Sequence, residues 1–344
     1  MKKIKLGDVC KIIKGEYITQ KNSNPGKYPV VLGGTQPAYF IDKFNHVGEA
    51  IVISRSGASA GYVSFWNEPI FVTDGFLIET NDEVDYKFIY NFLKYRQKKI
   101  TGSKKGTTIP HITPRTIFDI EIDLPPLEIQ KKIGNFLYSL DEKISLNKKI
   151  NATLKEMAKT IYLHKFFRKS ANGKISDILK ENPKSAISVG DAKNSSGDFP
   201  FFTSGENILR WNEKIVDGRN IFLNDGGNVG TKFYVSAAAY STHTYCLTAK
   251  NNSADFLYLT LKIFELEIEK RFFTGTGLKN LRKDLLKDFA IYISTDEELK
   301  NFNSAVQPCF DMISKNFREN NLLEKLRDFL LPMLMNGQVG FKEK

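Results

Sequence analysis

The chain has 344 residues, a length that favours two domains of ordinary size over a single one. No stretch approaches the roughly 20 apolar residues of a membrane span, and Lys11, Lys14 and Glu16 interrupt what would be the apolar part of a secretion signal, so we expect a cytoplasmic protein without membrane contact. The formal charge of +11 and the isoelectric point of about 9.2 indicate a polyanionic partner, above all nucleic acid, because lysine and arginine displace counterions from phosphates.

The first part of the chain predicts short apolar strands that run into turns, then a helix and a loop. In chain order these elements are residues 28–31 closed by Gly34, residues 48–53 closed by Ser56 and Gly57, residues 71–76, a helix at residues 88–94 and a polar loop at residues 106–112.

The same succession returns at an offset of about 170 residues, and duplication is the economical explanation. The second set comprises residues 199–202 closed by Gly205, residues 218–223 closed by Gly226 and Gly227, residues 240–245, a helix at residues 256–262 and a loop at residues 275–281. We therefore predict two similar mixed strand-and-loop domains.

A long helical pattern follows each region, and its apolar residues alternate spacings of four and three, as in the seam of a coiled coil. Asn147 and Asn151 interrupt the first seam, and polar seam residues favour one register and orientation. Pro308 is expected to kink or delay the second helix, which should end near Pro332. The predicted seam residues are Ile133, Leu137, Leu140, Ile144, Asn147, Asn151, Leu154, Ala158 and Ile161 in the first helix, and Val306, Phe310, Ile313, Phe317, Leu323, Leu326 and Leu330 in the second.

Two segments resemble the specificity subunits of type I restriction-modification systems. Residues 4–9 with Lys14 and Gly15 resemble the opening strand of that family, and residues 124–133 (LPPLEIQKKI) resemble the signature at the start of its first conserved helix. The resemblance covers essentially the whole chain.

The physical chemistry of the second segment agrees with a helix start. Pro125 and Pro126 stop the preceding strand, and Glu128 in the first turn is favourable to the helix dipole. The second copy departs from the signature at residues 294–300, although Thr295 can still cap a helix there.

The resemblance implies an α+β fold with two tandem, pseudo-repeated target recognition domains, each followed by a long helix, and with the two helices paired as an antiparallel coiled coil. The expected divisions are residues 1–126 for the first recognition domain, 127–168 for the central helix, 169–296 for the second recognition domain, and 297–344 for the C-terminal helix and tail.

The resemblance also implies a division of labour. Each domain would read one half of a bipartite asymmetric site on double-stranded DNA, and the helices would act as spacer and as docking surface for methyltransferase (modification) subunits, two in number. Endonuclease or translocase subunits would join the complex in addition.

Base contacts are expected from loops, which tolerate variation and carry arginine, lysine, asparagine, aspartate and histidine that can meet base edges or phosphates. Because the two sets of loops differ while the scaffolds match, we expect each half to read different bases. The candidate DNA-binding residues are Arg55, Ser56, Ser59, Tyr62, Thr73, Asp74, Lys104, Lys105, Thr107, Thr108 and His111 in the first half, and Asn224, Asp225, Asn228, Lys232, Thr242, His243, Thr276, Lys279, Asn280 and Arg282 in the second.

No motif of the sequence indicates catalysis, so we expect no enzyme activity in this chain, no cofactor and no metal. Residues 123–127 lack the acidic or amide residue directly before two prolines, and the aromatic residue after them, that an adenine methyltransferase needs; residues 57–61 lack the lysine of a nucleotide-phosphate loop. Asp288, Glu298 and Lys300 are the residue types of a magnesium nuclease, but chance explains them better. Metal-ligand spacing is absent among Cys10, Cys246 and Cys309 and among His46, His111, His164 and His243.

Two alternatives remain open at the level of sequence. The recognition subunit of a type IIB restriction-modification enzyme would share all of these features; its neighbouring reading frames would fuse nuclease and methyltransferase, whereas a type I locus supplies a separate motor subunit. A protein-binding scaffold would use its helices alone and leave no sequence-specific footprint on DNA.

Overall fold

The computed structural model describes residues 2–32, 34, 36–106, 108–275, 277 and 279–341. The chain divides into two compact units: unit 1 comprises residues 1–144 and 321–344, and unit 2 comprises residues 145–320. Each unit contains strands, short helices and part of two long helices, so the predicted α+β class is confirmed. Among the described helices, none is long and apolar enough to cross a membrane.

Unit 1 is built on an antiparallel four-stranded sheet of order β2-β8-β5-β6, beside a three-stranded sheet of order β4-β3-β7 and the pair β1-β9. Its strands are β1 (Lys2–Lys5), β2 (Cys10–Lys14), β3 (Pro25–Val31), β4 (Phe40–Ile41), β5 (Glu49–Ser54), β6 (Val63–Asn67), β7 (Phe71–Val72), β8 (Gly75–Thr80) and β9 (Glu121–Leu124). Its short helices are α1 (Tyr86–Tyr95), α2 (Gln97–Gly102) and α3 (Pro114–Phe118), with 3-10 turns at Leu6–Asp8 and Gln20–Asn22.

Unit 2 repeats this plan with a four-stranded sheet of order β11-β17-β14-β15, a three-stranded sheet of order β13-β12-β16, and the pairs β10-β20 and β18-β19. Its strands are β10 (Gly173–Lys174), β11 (Leu179–Glu181), β12 (Phe199–Phe202), β13 (Leu209–Trp211), β14 (Arg219–Asn224), β15 (Thr231–Val235), β16 (Ala239–Tyr240), β17 (Thr244–Ala249), β18 (Phe273–Thr274), β19 (Asn280–Leu281) and β20 (Ala290–Ile291). Its short helices are α5 (Ile175–Ile178), α6 (Val189–Lys193), α7 (Ala254–Ile263), α8 (Glu265–Phe272) and α9 (Lys283–Lys287).

The central strand of each four-stranded sheet is buried on both faces. In β5, Ile51 and Ile53 pack in a core with side chains of α1 and of the long helix at Leu127–Phe166, whereas Ala50 and Val52 pack against β3 and β7. Strand β14 repeats this arrangement between α7 and β12. A strand that is apolar on both faces is typical of a sheet enclosed between two layers. Burial fixes the register in which the strand pairs, and this register determines where the loops at its end lie.

The two long helices are α4 (Leu127–Phe166) and α10 (Asp296–Met335). Helix α4 begins directly after Pro125 and Pro126, and the Gln130 side chain donates to the Pro125 carbonyl at 2.9 Å. At the start of α10, the Glu298 amide donates to Thr295 Oγ1 at 3.3 Å and the Thr295 amide donates to Glu298 Oε2 at 3.1 Å. Thr295 therefore caps α10, in the absence of the proline signature.

The helices α4 and α10 pair antiparallel, as predicted, and polar contacts mark the register within each unit. In unit 2, Asn316 donates to Asn151 Oδ1 at 2.8 Å, and Asn147 donates to Asn320 Oδ1 at the same distance. In unit 1, Arg327 Nη1 lies 2.6 Å from Asp141 Oδ1.

The predicted seam residues differ in how deeply they are buried. Ile133, Leu137, Leu140, Ile144, Asn147, Ala158, Val306, Phe310 and Ile313 are buried, and Asn151, Leu154, Ile161, Phe317, Leu323 and Leu330 are half-buried.

The second helix departs from the prediction at Leu326 and at Pro308. Leu326 is 43% exposed, because the residue one position along, Arg327, is the one that meets α4. Helix α10 continues through Pro308 without interruption and passes Pro332 to end at Met335. Pro308 is exposed while Val306 and Phe310 are buried, so packing of the apolar face outweighs the lost backbone hydrogen bond.

Candidate nucleic-acid interface

In unit 1, three chain segments meet at the end of strand β5, and we call their described residues loop cluster 1 (residues 55–62, 73–74, 104–106 and 108–112). The Arg55 amide donates to the Asp74 carbonyl at 3.2 Å, and the Ile112 amide donates to the Arg55 carbonyl at 3.0 Å. The Gly57 amide donates to the Pro110 carbonyl at 2.9 Å. Backbone hydrogen bonds therefore join segments that lie far apart in sequence.

The polar side chains of loop cluster 1 are organised around one carboxylate. Arg55 Nε lies 2.9 Å from Asp74 Oδ1, and the Ser56 hydroxyl donates to Asp74 Oδ2. Lys104 Nζ donates to the Ala58 carbonyl at 2.7 Å, which ties the third segment to the first. The cluster thus presents a cation whose position is set by its neighbours.

In unit 2, the corresponding segments meet at the end of strand β14, and we call them loop cluster 2 (residues 224–232, 242–243 and 279–282). The Asp225 amide donates to the His243 carbonyl at 3.0 Å, and the Leu281 amide donates to the Asp225 carbonyl at 3.0 Å. The Gly227 amide donates to the Lys279 carbonyl at 2.8 Å. These three hydrogen bonds match the three described for loop cluster 1.

The side chains of loop cluster 2 differ from those of loop cluster 1. The matched backbone hydrogen bonds place Asp225 at the position of Arg55. Lys283 Nζ lies 2.9 Å from Asp225 Oδ2. Lys232 Nζ donates to the Thr203 carbonyl at 2.9 Å, and burial lowers the pKa of its ammonium group. A hydrogen bond from Arg282 to Asp284 raises the pKa of the Arg282 guanidinium.

One glycine in each cluster is required by the backbone. Gly57 and Gly227 occupy equivalent positions with φ of 83° and 81°, in the left-handed region that side chains disfavour. A Cβ atom at either position would meet nothing within 4 Å, so conformation and not space selects glycine.

The structure separates the predicted DNA-binding residues by exposure. Thr107 and Thr276 lie outside the described residues. Exposed residues are Arg55, Lys105, Thr108, His111, Asn228, His243, Lys279, Asn280 and Arg282; half-buried residues are Ser56, Ser59, Tyr62, Asp74, Lys104, Asp225, Lys232 and Thr242.

Two predicted contact residues are buried instead. Thr73 is 6% exposed, and its Oγ1 accepts a hydrogen bond from the Ile18 amide at 3.4 Å. Asn224 is 4% exposed, and its amide donates to the carbonyls of Ser204 and Asn228 at 2.9 Å each. Both residues support the loops from beneath, and their side chains are not part of the exposed surface of the clusters.

Sequence reasoning missed several residues that line these clusters. A groove beside Arg55 is formed by Lys14, Phe76, Ile109, His111, Thr113 and Pro114. A cavity beside His243 is formed by Lys193, Thr203, Ser204, Glu206 and Gly226. The lysine next to Gly15 was visible in the sequence, but its proximity to Arg55 depends on the β2-β8-β5 pairing.

The acidic residues considered for nuclease chemistry are engaged in separate ion pairs. Asp288 Oδ1 lies 2.9 Å from Lys174 Nζ, whereas Glu298 pairs with Lys169 and accepts from the Tyr292 hydroxyl at 2.6 Å. The hydrogen bond from Lys169 lowers the pKa of Glu298 to about 2. Among the described residues, no group of three or more His, Cys, Asp or Glu side chains is placed to hold a metal ion.

Residues 1–156 and 168–324 match the family described as the type I restriction modification DNA specificity domain. The chain belongs to this family. It is accordingly a DNA sequence-recognition subunit of a type I restriction-modification system. The two matched ranges repeat within one chain, in agreement with the internal duplication.

Individual proteins of known type are also similar to this chain. A putative type I specificity subunit of Mycoplasma pneumoniae is 33% identical over 39% of this chain and 46% of its own length. A type I restriction enzyme specificity subunit of Methanocaldococcus jannaschii is 24% identical over 85% of this chain and 78% of its own length. The crystal structure of the type I restriction-modification S subunit from M. genitalium shares the fold with a TM-score of 0.73, at 20% identity, over 97% of this chain and 96% of that one.

Proposed function

We propose that loop clusters 1 and 2 each read one part of a bipartite, asymmetric DNA sequence. The observation that carries this proposal is the shared backbone hydrogen-bond pattern with unlike side chains at matched positions: Arg55 against Asp225, Asp74 against His243, and His111 against Asn280. A constant frame with variable polar side chains is what base-edge recognition in two different sequences requires.

The remaining functional assignments are part of the same proposal. Residues 1–126 and 169–296 would be the two recognition domains, and residues 127–168 and 297–344 would act as spacer and docking surface for two methyltransferase subunits. Those subunits would supply the chemistry, with an endonuclease or translocase subunit joining for restriction, and the complex would work in the cytoplasm. This chain would position the enzyme without contributing a catalytic residue.

The direct experiment exchanges residues 1–126 for the equivalent region of a relative and maps methylated adenines in cells that also carry the methyltransferase subunit. One half of the methylated sequence should change and the other should stay. The matched control exchanges residues 169–296 and should alter only the other half. Simultaneous loss or change of both halves in either exchange would contradict modular reading.

The spacer role has its own test. Seven residues, one heptad, are inserted into α4 between Asn147 and Asn151 and into α10 between Asn316 and Asn320, so that the paired asparagines keep their partners. A heptad adds about 10 Å to a helix, so the spacer between the half-sites should lengthen by about 3 base pairs. Insertion into α4 alone is the control, since it misaligns the seam. An unchanged spacer with the paired insertion would refute the role.

A further inference from the structure

Arg55 is held in an arrangement that differs from an ordinary surface ion pair. Its Nε lies 2.9 Å from Asp74 Oδ1, and the other carboxylate oxygen of Asp74 accepts from the Ser56 hydroxyl. The Arg55 and Asp74 side chains are 50% and 26% exposed, so the carboxylate is the more enclosed partner. Ser56 therefore orients Asp74, and Asp74 orients the guanidinium.

The contact with Asp74 engages only the Nε of Arg55. Among the described residues, no ion pair or hydrogen bond joins its Nη1 or Nη2 to a protein group. The guanidinium borders the groove formed with Lys14, His111 and Pro114. A planar fork of donors, fixed in orientation and open on one edge, matches the N7 and O6 acceptors of a guanine in the major groove.

We propose that Arg55 reads a guanine in the half-site contacted by unit 1, and that Asp74 and Ser56 are its positioning residues. This inference rests on the proposed function of loop cluster 1 and deepens it by naming the base and the residue. The equivalent position in unit 2 holds Asp225, whose carboxylate is paired with Lys283, so that position reads no guanine in the other half-site.

Two other roles for Arg55 fit the geometry less well. A phosphate contact gains from net positive charge, and Asp74 cancels much of that charge at 2.9 Å. A purely stabilising pair would gain little at this exposure, because solvent-exposed ion pairs contribute about 0–1 kcal/mol. A base-reading role accounts for both features: Asp74 orients the Arg55 guanidinium, and its terminal nitrogens remain available for a base.

The test uses the complete complex of this chain with its methyltransferase subunits. Methylation is measured on a DNA library in which the half-site assigned to unit 1 is randomised, for wild type, Arg55→Ala, Asp74→Asn, Asp74→Glu and Ser56→Ala. Arg55→Ala should lose about tenfold to 100-fold of the discrimination at a single G·C pair and none elsewhere. Asp74→Asn should lose part of this discrimination, whereas Asp74→Glu, which keeps the carboxylate, should retain it. Ser56→Ala should show the smallest loss.

A matched control separates base reading from charge. Lys105 is exposed in the same cluster, and Lys105→Ala should weaken methylation equally for all sequences and reduce the salt slope of DNA binding by about 1. If Arg55→Ala behaves like Lys105→Ala, Arg55 contacts phosphate and the inference is overturned. Retained guanine preference, or a change confined to the other half-site, overturns it as well.

Failure of the proposed function looks different. In that case the exchange of residues 1–126 leaves both half-sites unchanged, whatever Arg55→Ala does. Thermal unfolding shows whether each variant is folded. If Arg55→Ala does not fold, the single variants Asp74→Asn and Ser56→Ala provide the test.

Discussion

Loop clusters 1 and 2 share three equivalent backbone hydrogen bonds but carry opposite charges at one matched position. Where unit 1 places the cation Arg55, unit 2 places the anion Asp225, and each is paired with a partner of opposite charge from a different segment. The backbone frame therefore does not depend on these side chains. Duplication has preserved the bonds that position the loops and has left the recognition chemistry free to diverge.

A second matched position shows the same reversal inside the scaffold. The first residue of β5 and the second of α1 form the pair Glu49–Lys87, with Oε1 and Nζ 3.6 Å apart. The first residue of β14 and the second of α7 form Arg219–Asp255, with Nη1 and Oδ1 2.6 Å apart. The Asp255 side chain is fully buried, whereas that of Glu49 is 39% exposed. The same pair is thus exposed in one unit and enclosed in the other.

The largest expected effect comes from breaking the enclosed pair. Arg219→Gln leaves a buried carboxylate without its partner and should lower the free energy of unfolding of unit 2 by about 3–5 kcal/mol at pH 7. Glu49→Gln in unit 1 is the matched control and should cost at most about 1 kcal/mol. Chemical denaturation of the two variants measures the difference. Equal losses in the free energy of unfolding would show that the two ion pairs stabilise their units equally despite their different burial.

The pH dependence of unit 2 sharpens the same comparison. Burial raises the pKa of Asp255 to about 6, against the opposing effect of Arg219. The folded state therefore binds a proton that the unfolded state has released, so Asp255 adds stability below about pH 4 and loses it as pH rises through about 6. Relative to Asp255→Asn, the wild type should lose roughly 1–3 kcal/mol of stability between pH 4 and pH 7. A gain over that range would mean that Arg219 outweighs burial.

The sequence was sufficient for the architecture and for the three segments that form each loop cluster. The repeat predicted that these segments of the first half would have counterparts in the second half, and the described residues of each set lie together. The sequence could not predict how deeply each polar side chain is buried. Thr73 and Asn224 are polar and precede turns, yet both lie beneath the loops. Burial of a polar loop residue depends on which carbonyls surround it, and that is decided by tertiary contacts.

The second helix shows a different limit. An apolar pattern predicted Leu326 in the seam, but the α10 face that meets α4 includes Asn316, Asn320 and Arg327. These polar residues fall on the correct spacing of three and four, and hydrophobic periodicity alone passes over them. Their partners on α4 were needed to identify them.

The buried asparagines of unit 2 offer a test of intermediate size. Asn147 is 1% exposed and donates to Asn320 Oδ1 and Glu319 Oε2 at 2.8 Å each, so Asn147→Ala leaves a buried amide oxygen with a lost donor and should cost about 1–3 kcal/mol. The double variant Asn147→Leu with Asn320→Leu should cost less than Asn147→Ala, because it removes both amides together and leaves only the Glu319 carboxylate with a lost donor. Calorimetry on wild type, Asn147→Ala and the double variant measures these differences in stability. If the double variant loses as much stability as Asn147→Ala, the asparagine pair itself stabilises the helix contact.

The smallest expected effect separates the two halves of the helix pair by their response to salt. Unit 1 joins α4 and α10 through the charges of Asp141 and Arg327, which are 27% and 28% exposed, whereas in unit 2 the neutral amides of Asn151 and Asn316 join them. Raising the ionic strength from 0.1 M to 1 M shortens the screening length from about 10 Å to about 3 Å. The stability difference between wild type and Asp141→Asn should therefore shrink by a few tenths of a kcal/mol to about 1 kcal/mol, as expected for a partly exposed pair. The difference between wild type and Asn151→Ala should not change with salt, because Asn151 and its partner Asn316 carry no charge. Equal salt responses in the two variants would show that the charged contact in unit 1 acts through its hydrogen bond and not through its charge.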